Sequence, residues 1–185
     1  MILHLIRHPK PVVEPGICYG RLDLEAENAA SLAELLRADL PPDLPVWSSP
    51  LRRCRTLAEC LHPMPLIDER LVEMDFGLWE GVRWDAVPRA ELDAWAADVA
   101  GYAPPAGESP LMLQHRALDF VAGLAVPEAV VVTHAGVIST LLAHWQNLPP
   151  AEWTQLVFEY GSRTSVELRE MLKYSSPFRG NAIGI

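Results

Sequence analysis

The chain has 185 residues, 50% hydrophobic and 21% charged, with a formal net charge of -9 and a pI near 5.1. That length suits a single domain with a core between a sheet and two helix layers, and the composition is that of an ordinary globular protein. The acidic balance argues against nucleic acid as a partner, because backbone binding relies on a basic surface, and no run approaches the roughly 18–20 apolar residues of a membrane span. Cys18, Cys54 and Cys60 lack a C-x-x-C spacing and suggest neither a disulfide framework nor a structural zinc site. With a strand rather than a leader at its start, the chain reads as a cytoplasmic protein.

The apolar run Ile2-Leu3-His4-Leu5-Ile6 predicts a buried strand that ends on Arg7-His8. Prolines at 9, 11 and 15 force a loop that leads to Tyr19-Gly20-Arg21. Leu24 to Leu40 then reads as an alanine- and leucine-rich helix stopped by Pro41-Pro42. Pro45 to Ser48 predicts a second strand, and Pro50 suits the first turn of a helix over Leu51 to Leu61. Leu66-Ile67 continues as a short strand. Residues 70–105 hold most of the tryptophans, an acidic, glycine-punctuated loop around Glu73, and a helix from Arg89 to Val99; they read as a lid or side wall. Ser109-Pro110 caps a helix to Ala125, Val130 to Thr133 forms a strand, and Gly136 to Trp145 the helix after it. Gln155 to Tyr160 and Ser165 to Leu168 read as strands around a Gly161-Ser162 turn, with antiparallel pairing open to them. No periodicity follows Lys173. This alternation predicts an α/β fold with a largely parallel sheet.

Two strands therefore each deliver a histidine, His8 and His134, to the carboxyl edge of an α/β sheet, where ligands gather. Arg7, an arginine of the helix after Pro50 and Arg21 can form a local anion site in an acidic protein, since guanidinium forks match phosphate oxygens. Arg52, Arg53 and Arg55 crowd that one helix, where surface arginines are usually solvated. His4 and His144 read as packing residues and His62 as a helix cap, while His115 carries no functional reading. Trp95 reads as core; Trp79 and Tyr19 are set against the substrate, beside glycines of the two loops.

Arg7-His8, Pro15 to Asp23, Ser49-Pro50-Leu51-Arg52-Arg53, Leu71 to Gly81, Gly107-Glu108-Ser109 and Thr133-His134-Ala135-Gly136 follow one another in order. Together they resemble the histidine phosphatase superfamily, the phosphoglycerate-mutase-like enzymes that form a phosphohistidine, and look most like its α-ribazole phosphatase branch. The resemblance implies a three-layer α/β/α sandwich with a mostly parallel mixed sheet, spanning 1–185 as one domain, with 70–105 as a lid-like insertion. It implies His8 as nucleophile, Arg7 and Arg53 as clamps on the phosphoryl oxygens, and His134 as a contact to those oxygens opposite His8. Glu73, in a Leu-x-Glu-x-x-Phe-Gly pattern, takes the position of the proton donor, with Glu80 the rival carboxylate of the same loop. Tyr19, Gly20, Arg21, Trp79, Glu80, Glu108, Ser109 and Ala135 become the candidate substrate contacts.

The chain departs from the family pattern at Pro9, where many relatives carry glycine, and at Glu14, near a mutase asparagine. Pro9 removes an N–H that would have faced phosphate. The implied activity is metal-independent and cofactor-free hydrolysis of a small phosphomonoester, with α-ribazole 5′-phosphate of the cobalamin lower-ligand pathway as substrate. A broad small-molecule phosphatase, a protein phosphohistidine phosphatase and a non-catalytic phosphate-binding module are the alternatives. A homodimer is compatible with the chain, which carries no signal fixing its oligomeric state.

Overall fold

The computed structural model describes residues 1–168. Its five-stranded sheet has the order β3-β2-β4-β1-β5, built from β1 (Ile2–Arg7), β2 (Val46–Ser48), β3 (Leu66–Ile67), β4 (Glu128–Thr133) and β5 (Arg163–Glu167). The first four strands run parallel, and β5 closes the edge antiparallel to β1. The expected mixed sheet is present.

Continuous apolar runs in β1 and β4 follow from burial on both faces. On one side Leu3, Leu5, Ala129 and Val131 pack against α4 (Pro110–Ala122) and α5 (Ala135–Trp145) through Leu113, Phe120, Ile138 and Leu141. On the other, Ile6, Val130 and Val132 meet Ala33 and Leu36 of α1 (Ala29–Asp39), and Cys54 and Leu57 of α2 (Arg52–Leu61). Side chains alternate along each strand, so one sequence feeds two cores. A separate aromatic cluster of Trp79, Trp84, Trp95, Tyr102 and Phe76 surrounds Cys18 and holds together the segment that contains α3 (Arg89–Ala97) and two short 3-10 turns. Among the described residues no helix is long and apolar enough to cross a membrane.

Three expectations of the chain reading need correction. The helix expected from Leu24 begins at Ala29, because residues 25–27 bond back to the proline loop: Val12 N–H donates to the Glu25 carbonyl and Glu27 N–H to the Lys10 carbonyl. Asn28, at φ 56°, turns the chain into the helix. Gln155 to Tyr160 is not a strand; β5 pairs with β1 instead, so this segment crosses the mouth of the sheet after a short helix, α6 (Pro150–Trp153), that the sequence did not signal. α3 and α4 also stop earlier than expected, at Ala97 and Ala122. The chain after Lys173 lies outside the described residues.

Candidate active site

Register sets the site. Arg7 lies opposite Thr133 in the parallel β1–β4 pair, so the next residues, His8 and His134, emerge side by side with ring centroids 5.1 Å apart. β2 ends at the same level, since Ser49 N–H donates to the Val132 carbonyl, and the turn into α2 carries Arg53 to the same point.

The tautomer of His8 follows from its neighbours. Its Nδ1 lies 2.6 Å from the Pro9 carbonyl, which can only accept, so Nδ1 carries the hydrogen. Arg53 Nε, which can only donate, lies 3.3 Å from His8 Nε2, so Nε2 presents its lone pair. The proline that removes an amide thus leaves a carbonyl that orients the ring. Burial, then the Arg53 charge, pulls the His8 pKa down to about 3 against the backbone bond to Pro9, with Arg7 adding to the fall. The ring is neutral across physiological pH.

Arg53 is fully buried. Besides meeting His8 it donates to the carbonyls of Leu22 at 2.7 Å and Gly20 at 2.5 Å, which fastens the Tyr19–Asp23 loop beside the histidine. Gly20 is required there, since a Cβ would stand 1.8 Å from the Met74 carbonyl oxygen. Arg7 donates to the Phe158 carbonyl at 2.6 Å and stacks beneath the Tyr160 ring, 3.8 Å from its centroid. Its Nε is buried without a partner among the described residues, an open donor in a cationic pocket. His134, wholly buried, bonds through Nε2 to Ser49 Oγ at 2.8 Å with Cys54 Sγ 3.4 Å away. Burial, then Arg53 and the neighbouring His8, holds its pKa well below the ordinary histidine value.

Glu73 reaches this cluster from the opposite wall. One oxygen accepts from the Met74 amide at 2.9 Å and the other from the Gly136 amide at 3.2 Å, in the first turn of α5. A Cβ on Gly136 would fall 2.3 Å from Glu73 Oε1, so only glycine seats the carboxylate there. Thr133 Oγ1 donates to the Leu71 carbonyl at 2.8 Å and ties the same loop to the end of β4.

A model of the histidine phosphatase superfamily (branch 1) matches residues 3–174. The chain belongs to the histidine phosphatase superfamily. It is 28% identical over 155 residues, 76% of each chain, to a putative phosphoserine phosphatase 2 from Hydrogenobacter thermophilus. Among solved structures it resembles a phosphoglycerate mutase from Thermus thermophilus at 31% identity and TM-score 0.75, covering 90% of this chain and 93% of the other. It also resembles a mycobacterial glucosyl-3-phosphoglycerate phosphatase at 30% identity and TM-score 0.74, covering 89% and 88%.

In this histidine phosphatase the remaining expected site residues divide. Tyr19 stands over Arg53, 5.5 Å from guanidinium to ring centroid, and its hydroxyl meets that of Tyr160 at 2.8 Å across the mouth. Ala135 opens α5 beside His134. Glu80, by contrast, is taken up by backbone: it accepts from the amides of Arg21 at 2.7 Å, Leu22 at 2.9 Å and Phe76 at 3.2 Å, and so joins the two loops. Arg21 is exposed and pairs with Asp75 at 3.4 Å and Glu108 at 3.6 Å. Glu108 is held by Arg116 at 2.6 Å and by the Asp75 amide. Its burial would raise the carboxyl's pKa, but Arg116 and that amide outweigh it and leave the value lowered. Ser109 caps α4 by accepting from the Met112 amide.

Trp79 corrects the chain reading most directly. It is only 2% exposed, donates to Glu91 at 2.6 Å and stacks on Tyr102, which places it inside the wall rather than against substrate. Trp95, expected in the core, is half-buried and lines the cleft. The chain reading also missed Arg116, Ser49 and Tyr160. Arg116 donates to the carbonyls of Arg70 and Glu73 and braces the Glu73 loop from behind, yet a single helical arginine in sequence looks solvated.

Proposed function

We propose that this protein is a phosphomonoester hydrolase that works through a phosphohistidine on His8, without a metal ion. The observation that carries the reading is the His8 ring itself: neutral, with Nδ1–H tied to the Pro9 carbonyl and an unprotonated Nε2 that faces Arg53, with Arg7 and His134 beside the ring. In the first step Nε2 attacks phosphorus as the P–O bond to the alcohol breaks, and protonated Glu73 gives the leaving oxygen its proton. Arg7, Arg53 and His134 hold the equatorial oxygens, on which the charge of the transition state is spread. In the second step Glu73 takes a proton from water, whose oxygen attacks phosphorus as the P–N bond breaks, and inorganic phosphate leaves.

The finer assignment is α-ribazole 5′-phosphate in the cytoplasm, supported by the ordered motifs from Arg7-His8 to Thr133-His134-Ala135-Gly136 and by the apolar flank of the cleft. Residues 70–105 act as the wall on the leaving-group side. The test is phosphate release in excess EDTA from α-ribazole 5′-phosphate, 4-nitrophenyl phosphate and 3-phosphoglycerate, with His8→Ala as control. A strong His8-dependent preference for the first is expected. Equal slow turnover of all three removes the cobalamin assignment and leaves a broad phosphatase; no His8-dependent turnover removes the enzyme reading.

A further inference from the structure

The site is cationic at its centre and apolar on one flank. Glu73 forms part of the lining of a cavity of about 340 Å³, together with Phe76, Trp95, Leu113, Trp153 and Leu156. That volume lies near the lower end of ligand pockets, roughly 300–1,000 Å³, and suits one ring system. Its polar side chains are largely committed elsewhere. The Thr140 hydroxyl donates to the Gly136 carbonyl, Ser139 to the Trp153 carbonyl, and the Trp153 indole to the Leu148 carbonyl. The Trp95 Nε1–H is itself buried, so its ring meets the cavity as an apolar surface.

Charge narrows the occupant further. Glu73 is the one charged side chain in the lining, and the nearby cations Arg116 and Arg21 are paired with Glu108. A carboxylate placed in this cavity would meet apolar walls, no cation to offset its lost hydration, and a like charge on Glu73 once its proton has passed to the leaving oxygen.

We propose that the cavity binds the alcohol half of the substrate and selects uncharged aromatic alcohols over carboxylate-bearing ones. The proposal rests on the phosphatase reading, because a leaving oxygen within reach of Glu73 leads straight into this space. It also separates the protein from relatives named for phosphoserine and glucosyl-3-phosphoglycerate.

The test compares kcat/KM of the full chain for benzyl phosphate, O-phosphoserine and methyl phosphate, and in parallel the binding of benzylphosphonate and phosphonoacetate by calorimetry. Benzyl phosphate is expected to exceed each of the others by roughly 10–200-fold, the range a hydrophobic pocket gives for small apolar increments. Thr154→Arg places a cation at the exposed rim of the cavity without touching the core, and should narrow the ratio of benzyl phosphate to phosphoserine by roughly 10-fold. Comparable turnover of benzyl phosphate and phosphoserine, unmoved by Thr154→Arg, overturns the proposal while the phosphatase reading stands. With no His8-dependent release from any ester the phosphatase reading fails, and the calorimetry then decides the cavity: tighter benzylphosphonate binding supports it, and equal or absent binding sinks it.

Discussion

At the strand ends Arg7, His8, Arg53 and His134 are polar groups with almost no freedom, each fixed by a carbonyl, a hydroxyl or a neighbouring ring. Across the cleft, Trp79, Trp84, Trp95 and Tyr102 pack ring against ring at centroid distances of 5.7 to 6.1 Å in a segment with little regular structure. The first region gains nothing from apolar contact, and its geometry comes from register in the sheet. The second takes its shape from burial of its rings, with Trp79 also bonded to Glu91. Substitutions in the cage should therefore remove chemistry and spare stability, and those in the wall should do the reverse.

The largest expected effect is that of His8→Ala: loss of at least about 10⁴-fold in kcat and of any acid-labile phosphoenzyme, with little change in the urea midpoint. A comparable loss of stability would show the cage to be structural and break the contrast. Next, Glu73→Gln should cost roughly 10²–10⁴-fold on an alkyl phosphate and much less on 4-nitrophenyl phosphate, whose leaving group needs no proton. Gly136→Ala should reproduce that leaving-group pattern, since its Cβ would displace the carboxylate.

On the wall side, Trp79→Ala should lower unfolding free energy by about 3–5 kcal/mol, the range for emptying a buried aromatic site, while the folded fraction keeps turnover of methyl phosphate. Smaller still is a pH effect that belongs to the cage. Both histidines titrate below 6.5 when folded, so the unfolded chain takes up protons first. Their contribution to stability is complete above pH 6.5 and falls away as the pH drops toward about 3, where His8 protonates in the folded state. Below about pH 5.5 each should cost about 1.4 kcal/mol per pH unit, and about half that at pH 6.5, read from urea midpoints, and His8→Ala should flatten the slope.

The two regions also differed in how far they could be read from sequence. His8 and His134 were legible because each follows an apolar run too regular to be anything but a buried strand, and strand ends in such sheets face ligands. The roles set on Arg53 and Glu73 came from resemblance, since arginines crowded on one helix and a carboxylate in a loop have bland readings as well. In the wall, Trp79 and Trp95 exchanged places because short 3-10 turns impose no period from which a buried face can be inferred. Tyr160 was hidden by a run that looked like a strand but pairs with none, as β5 takes the place beside β1. The late start of α1 has the same kind of cause: a bond to a distant loop outweighed helix propensity over residues 24–28.

Although Glu73 opens the tryptophan-rich segment in sequence, its loop is anchored to β4 where Thr133 bonds Leu71, and its carboxylate to α5 at Gly136. The residues that would exchange protons and phosphate therefore share one frame, and the rings beyond them hang from another. Descendants of this chain are free to rebuild the aromatic side, one indole at a time, and so inherit new substrates without having to rediscover the reaction.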